Sequence, residues 1–202
     1  MGITGKRIYL VDDEPEVLNS VSRTLRAYHY NVMGFTNAED CLRQLRKNDC
    51  DLLIVGVKTP DMDGVALLHE TKEIAPLLPV IIVAGCADIP LAVSVMKAGA
   101  VDFIKRPFNR KHFIRKVEDA LTNHRHLDPM LGDQLTRVQK RILELILSGR
   151  SNKRIAYILG RSVRTIESHR GKIMRKLGVA NIVDLVKKAY RMDLNQSSEE
   201  GE

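Results

Sequence analysis

The stretch LLIVGVKTPDMDG, residues 52–64, runs from an apolar segment straight into a loop of Pro60, Asp61, Asp63 and Gly64. A short apolar run bounded by turn residues reads as a strand buried on both faces. The same reading extends outward. RIYLVD (7–12), NVMGF (31–35), DLLIVG (51–56), PVIIVAG (79–85) and DFIKR (102–106) are candidate strands. Amphipathic stretches near 15–28, 37–48, 64–75, 89–98 and 109–125 alternate with them. This alternation predicts an α/β domain, a doubly wound parallel sheet covered by helices on both sides. Ligands in such folds sit outside the carboxyl ends of the strands. Asp12, Asp13, Gly56, Ala84 and Arg106 stand at those ends.

The pattern breaks at TNHRHLDPMLGDQ, residues 122–134, where Asp128-Pro129 and Gly132 punctuate the chain. From Leu135 the sequence reads as helices only. Thr136 with Gln139 has the spacing of a capping box, and Gly149 fits a left-handed helix end. Ser151 to Gly160 and Ser162 to Gly178 frame two further helices, and NIVDLVKKAYRM (181–192) a last one. The expected organisation is a first domain over 1–124, a linker over 125–134 and a small all-α domain over 135–193. An acidic, disordered tail follows over 194–202.

Charge is divided in the same way. The net +7 conceals a neutral front, with 17 basic and 17 acidic residues up to 132. Residues 133–193 carry 15 basic against 5 acidic residues, which points that domain at a polyanion. No apolar run approaches the roughly 20 residues of a membrane span, and MGITGKRIYLVDD lacks a signal-peptide pattern. A cytoplasmic protein without a membrane partner is expected. Cys41, Cys50 and Cys86 form no CxxC pair, so neither a zinc site nor a disulfide framework is indicated. His124 and His126 read as a solvated pair.

The pieces VDDEP, TPDMDG, AGCAD and GAVDFIKRPF occur in that order along the first domain. Together they resemble the receiver domain of response regulators, a flavodoxin-like fold with strand order 2-1-3-4-5. The resemblance implies an aspartate nucleophile after the third strand, an acidic pair holding Mg²⁺, and a hydroxyl after the fourth strand. It also implies a lysine before the proline of the fifth strand and a switch aromatic three residues earlier. Asp12 and Asp13 match the acidic pair, and Phe103 matches the aromatic. The nucleophile position is Gly56, the hydroxyl position is Ala84, and the lysine position is Arg106, with Lys105 shifted by one. All three phosphoryl-contacting groups differ, so the receiver reads as degenerate, with no catalytic residue and no cofactor. Mg²⁺ at Asp12 and Asp13 is left open but weakened. Arg106 either reaches Asp12 or Asp13 in place of the metal, through its forked guanidinium, or points to solvent. The Arg106-Pro107 bond is expected to be cis.

Residues 135–192, in LTRVQKRILELILSGRSNKRIAYILGRSVRTIESHRGKIMRKLGV, resemble the LuxR/FixJ-type (NarL-like) helix-turn-helix of transcription regulators. Ile166, Ile173 and Leu177 share one side of a helical wheel with Arg170. The opposite side presents Arg164, Ser168, Gly171, Lys172 and Arg175 to the major groove. Arg164, Glu167, Ser168, Gly171 and Lys172 are the candidate base readers. Lys153, Arg154, Thr165, Arg175 and Lys176 are candidate phosphate contacts. His169 reads as a packed structural histidine. Ile182, Leu185, Val186 and Ala189 form a stripe on the last helix that the resemblance assigns to dimerisation.

These readings converge on a transcriptional regulator of two-component type that binds double-stranded DNA as a homodimer. Its receiver would answer to a sensor kinase or another protein without phosphorylation at position 56. Two alternatives stand beside it. One is a phosphorelay receiver with a non-standard acceptor such as Asp61 or Asp63. The other is an antagonist that binds a partner regulator and not DNA.

Overall fold

The structure, a computed structural model, describes residues 5–85, 89–123, 135–181 and 184–185. The chain divides into two units, Met1–His124 and Arg125–Glu202. The expected linker (125–134) and tail (194–202) lie outside the described residues.

The first unit alternates strand and helix: β1 (Arg7–Val11), α1 (Pro15–Arg26), β2 (Asn31–Phe35), α2 (Ala38–Lys47) and β3 (Leu52–Gly56) come first. They are followed by α3 (Gly64–Ile74), β4 (Val80–Ala84), α4 (Ile89–Lys97), β5 (Asp102–Lys105) and α5 (Arg110–Asn123). The sheet is parallel throughout, in the order β2-β1-β3-β4-β5. Its central strands are buried at every residue of β3 and β4, as a sheet covered on both faces requires. Ile8, Leu10, Leu52, Ile54, Ile81 and Val83 form one face of the core with Leu18, Val21 and Leu25 of α1. Phe113, Ile114, Val117 and Leu121 of α5 close that side. Tyr9, Leu53, Val55 and Ile82 alternate with them and are buried on the other face, where α2 meets β1 and α3.

Of the strand ends that fall one residue short of the sequence reading, those of β1 and β5 have a local cause. Asp12 leaves β1 because its Oδ1 accepts the Glu14 N–H at 3.1 Å, a turn held by the side chain itself. β5 stops at Lys105, although the Arg106 N–H still donates to the Ala84 carbonyl at 2.7 Å. Pro107 then has no N–H to continue the ladder. The Arg106-Pro107 bond is cis, as expected. Phe108, half-buried, stacks on Phe113 with centroids 4.6 Å apart and anchors the chain entering α5.

The second unit contains α6 (Arg137–Leu147), α7 (Asn152–Ile158) and α8 (Val163–Lys176). Each starts at the cap the sequence announced. Thr136 and Gln139 form a reciprocal capping box, and the Ser151 and Ser162 hydroxyls accept N–H groups of Arg154 and Thr165. Each also ends at its glycine: Gly149, Gly160 and Gly178 have φ of 79°, 58° and 62°, where a Cβ would be strained. Ile142, Leu143 and Ile146 of α6 bury with Ile155 and Ile158 of α7, and with Ile166, Ile173 and Leu177 of α8. Leu185 joins them at 0% exposure.

Thr136→Ala removes the hydroxyl half of the capping box and leaves the backbone N–H of residue 136 on Gln139. It is expected to cost about 1 kcal/mol, read as a lowered thermal midpoint in far-UV circular dichroism.

Candidate functional site

The parallel sheet delivers Asp12, Gly56, Ala84 and Arg106 to one edge, the carboxyl ends of β1, β3, β4 and β5. Asp12 is buried, while Asp13 and Glu14 are exposed. Arg106 turns inward. Its Nη2 donates to Asp12 Oδ2 in a short contact, and its Nη1 lies 3.4 Å from Glu14 Oε1. The structure therefore takes the first of the two courses open to Arg106, with Asp12 as its partner. Glu14 was not foreseen, although its place two residues after Asp12 in VDDEP brings it to the same rim. Arg106 Nε is buried without a hydrogen-bond partner among the described residues.

The carboxylate so held fills the space beside Gly56. A Cβ on Gly56 would lie 2.7 Å from Asp12 Oδ2 and 3.3 Å from its Cγ. Ala84 presents only a buried methyl group. Asp12, Asp13 and Glu14 bring carboxylate oxygens within 4.8 Å of one another, the raw material of a divalent site. The set does not fit Mg²⁺ as it stands. Each Asp12 oxygen already accepts one donor, the Arg106 guanidinium and the Glu14 N–H, and the Arg106 charge against this carboxylate repels a second cation. Phe103 sits on β5, half-buried.

The loop from Val57 to Asp63 is tied down by its own side chains. Asp61 reaches across to α2 and accepts the Ala38 and Glu39 N–H groups at 3.0 and 2.9 Å, one on each oxygen. Asp63 caps α3 through the Ala66 N–H at 2.7 Å, and the Thr59 hydroxyl donates to the Met62 carbonyl. Gly64 admits this closure, because a Cβ there would meet the Gly56 carbonyl at 2.7 Å. Desolvation alone would raise the Asp61 pKa. The Ala38 and Glu39 N–H groups, with the Asp61 N–H and the Thr59 hydroxyl, together outweigh it and hold the carboxyl below its ordinary range.

On the second unit, Arg164, Glu167, Ser168, Gly171, Lys172 and Arg175 are exposed along one side of α8, and Lys153 and Arg154 are exposed on α7. Thr165 is half-buried, its hydroxyl 2.8 Å from that of Ser162. Lys176 is exposed as well. Its Nζ donates to Gln139 Oε1 at 3.0 Å and ties α8 to α6. Arg170 likewise ties α8 to α7, through Asn152 at 3.4 Å. His169 is half-buried. Burial first, then Lys172 and Arg161, push its pKa down, in keeping with a structural histidine. Leu185 is fully buried. Ile182, Val186 and Ala189 lie outside the described residues.

Both units match known families. Residues 8–118 match the response regulator receiver domain, and residues 133–189 match the bacterial regulatory proteins of the luxR family. This chain is a response regulator with a LuxR-type DNA-binding domain. The regulator is 33% identical over 194 residues to the response regulator protein TodT of Pseudomonas putida, covering 92% of this chain and 86% of that one. It is 32% identical over 196 residues to the transcriptional regulatory protein FixJ of Rhizobium meliloti, covering 93% and 96%. Full-length FixJ from B. japonicum superposes with a TM-score of 0.58 at 29% identity, over 95% of this chain and 98% of that one. Among the described residues, no helix is long and apolar enough to cross a membrane.

Sequence reasoning overlooked one more surface group of the regulator. Tyr157 on α7 is 77% exposed, with the Arg154 guanidinium 5.4 Å above its ring. Only its position between buried Ala156 and Ile158 signals that exposure.

Because the folded-state pKa of Asp61 is depressed, its contribution to stability is present at neutral pH and is lost as pH falls through that pKa. Asp61→Asn is therefore expected to lower the thermal midpoint at pH 7. The gap from wild type should close as pH drops below about 4, measured by melting both proteins across pH 3–7.

Proposed function

We propose that this transcriptional regulator works without phosphorylation at position 56, its receiver acting through protein contacts instead. The observation that carries this reading is the Arg106–Asp12 pair beside Gly56. Phosphoryl transfer to a receiver needs a carboxylate nucleophile and a cation to neutralise the incoming phosphate. Position 56 has no side chain, and the buried carboxylate that would help hold the cation is already neutralised by Arg106. Substitute acceptors are poorly placed for the same chemistry. Asp61 spends both oxygens on α2, and Asp63 spends one on α3. Against the antagonist reading stands an exposed α8 face carrying Arg164, Lys172 and Arg175.

On this reading α8 enters the major groove. Arg164 and Lys172 reach guanine acceptors, and Glu167 accepts from a cytosine amino group. Ser168 and the bare backbone at Gly171 permit close approach. Lys153, Arg154 and Arg175 hold phosphates, with the Thr165 hydroxyl beside them. Lys176 joins them with the donors its ammonium keeps free of Gln139. The protein acts in the cytoplasm, as a homodimer on paired half-sites, and uses no metal. A sensor kinase or another regulator serves as a docking partner and not as a phosphoryl donor.

Incubation with acetyl phosphate and Mg²⁺ is expected to leave the intact mass unchanged. A phosphate adduct whose formation raises promoter occupancy would overturn the reading. Lys172→Ala is expected to weaken operator binding about tenfold or more, with affinity falling steeply in salt for both proteins, as measured by gel shift on fragments found by genome-wide footprinting.

A further inference from the structure

We propose that Gly56 and Arg106 form one device: the guanidinium stands in for a divalent cation and holds Asp12 in the volume that a side chain at position 56 would occupy. The proposal rests on the phosphorylation-independent reading above and says how that state is built into the pocket.

The backbone of Gly56 does not demand glycine. It lies outside the left-handed region that only Gly5, Gly99, Gly149, Gly160 and Gly178 enter among the described glycines. It is also the last residue of a fully buried strand, paired with Val83. At such a position alanine ordinarily costs nothing and removes freedom from the unfolded chain. What forbids a side chain is one neighbour, Asp12, whose Oδ2 is 2.7 Å from where Cβ would sit. A short carboxylate could ordinarily swing aside. Here Arg106 holds Oδ2 and the Glu14 N–H holds Oδ1 at 3.1 Å. The vacancy at 56 and the cation at 106 are therefore two halves of one arrangement. Asp12 is held by Arg106, with Glu14 beside it, and not by a metal. It follows that restoring an aspartate at 56 does not by itself rebuild an acceptor, since Arg106 has to withdraw as well.

A double-mutant cycle in the full chain tests this. Gly56→Ala is expected to lower the receiver melting temperature by about 4–8 °C. In an Arg106→Lys background, whose single-point ammonium leaves Asp12 free to turn, the same change should lower it by less than half as much. Metal uptake supplies a second readout that mere packing would not move. With Mn²⁺ as the probe, followed by electron paramagnetic resonance, Gly56→Asp is expected to bind no more ion than the wild type. Gly56→Asp/Arg106→Lys is expected to bind at least tenfold more tightly. Additive melting shifts overturn the proposal, and so does equal Mn²⁺ uptake by the single and double variants. If Gly56→Asp alone fails to fold, recovery of a cooperative melt on adding Arg106→Lys supports the device, and continued failure overturns it. Neither readout depends on acetyl phosphate, so a phosphate adduct on the native chain would defeat the functional reading without deciding this one.

Discussion

The Arg106–Asp12 ion pair governs the first unit. A parallel sheet must bring the carboxyl ends of its strands together, and here those ends carry a buried carboxylate with two acidic neighbours. A charge removed from water has to be compensated, and losing one partner of such a pair typically costs about 3–5 kcal/mol. The fold meets this requirement from within. Arg106 follows β5 directly, its N–H extends the ladder to Ala84, and its side chain returns across the sheet edge to β1. The strand framework and the electrostatics of the site are thereby fixed by the same residue.

Much of this was legible in the sequence because the signals were local. Apolar runs ending in turn residues marked every strand. Serine or threonine before each helix and glycine after it marked α6, α7 and α8, because capping is chemistry among residues three or four apart. The absence of an oxygen at Gly56 and Ala84 could likewise be read from two letters.

The rest depended on distance in space. Arg106 and Asp12 lie 94 residues apart, and the sequence left both the inward and the solvent-facing arrangement open. Glu14 as a second partner, and Asp61 as a cap for α2, follow only from how the loops fold over the sheet edge. Lys176 and Leu185 show the opposite difficulty. Lys176 stays exposed yet donates to Gln139 on α6, and Leu185 is fully buried, neither of which a helical wheel shows.

The buried Gln139 side chain belongs to no catalytic or reading surface, yet its oxygen takes hydrogen bonds from the Thr136 N–H and from Lys176 at 3.0 Å each. The start of α6 and the last turn of α8 thus share a single acceptor atom. Tension applied to the polypeptide just ahead of Thr136 would be felt at the foot of α8, two hydrogen bonds away, with no need to disturb the hydrophobic interior between them.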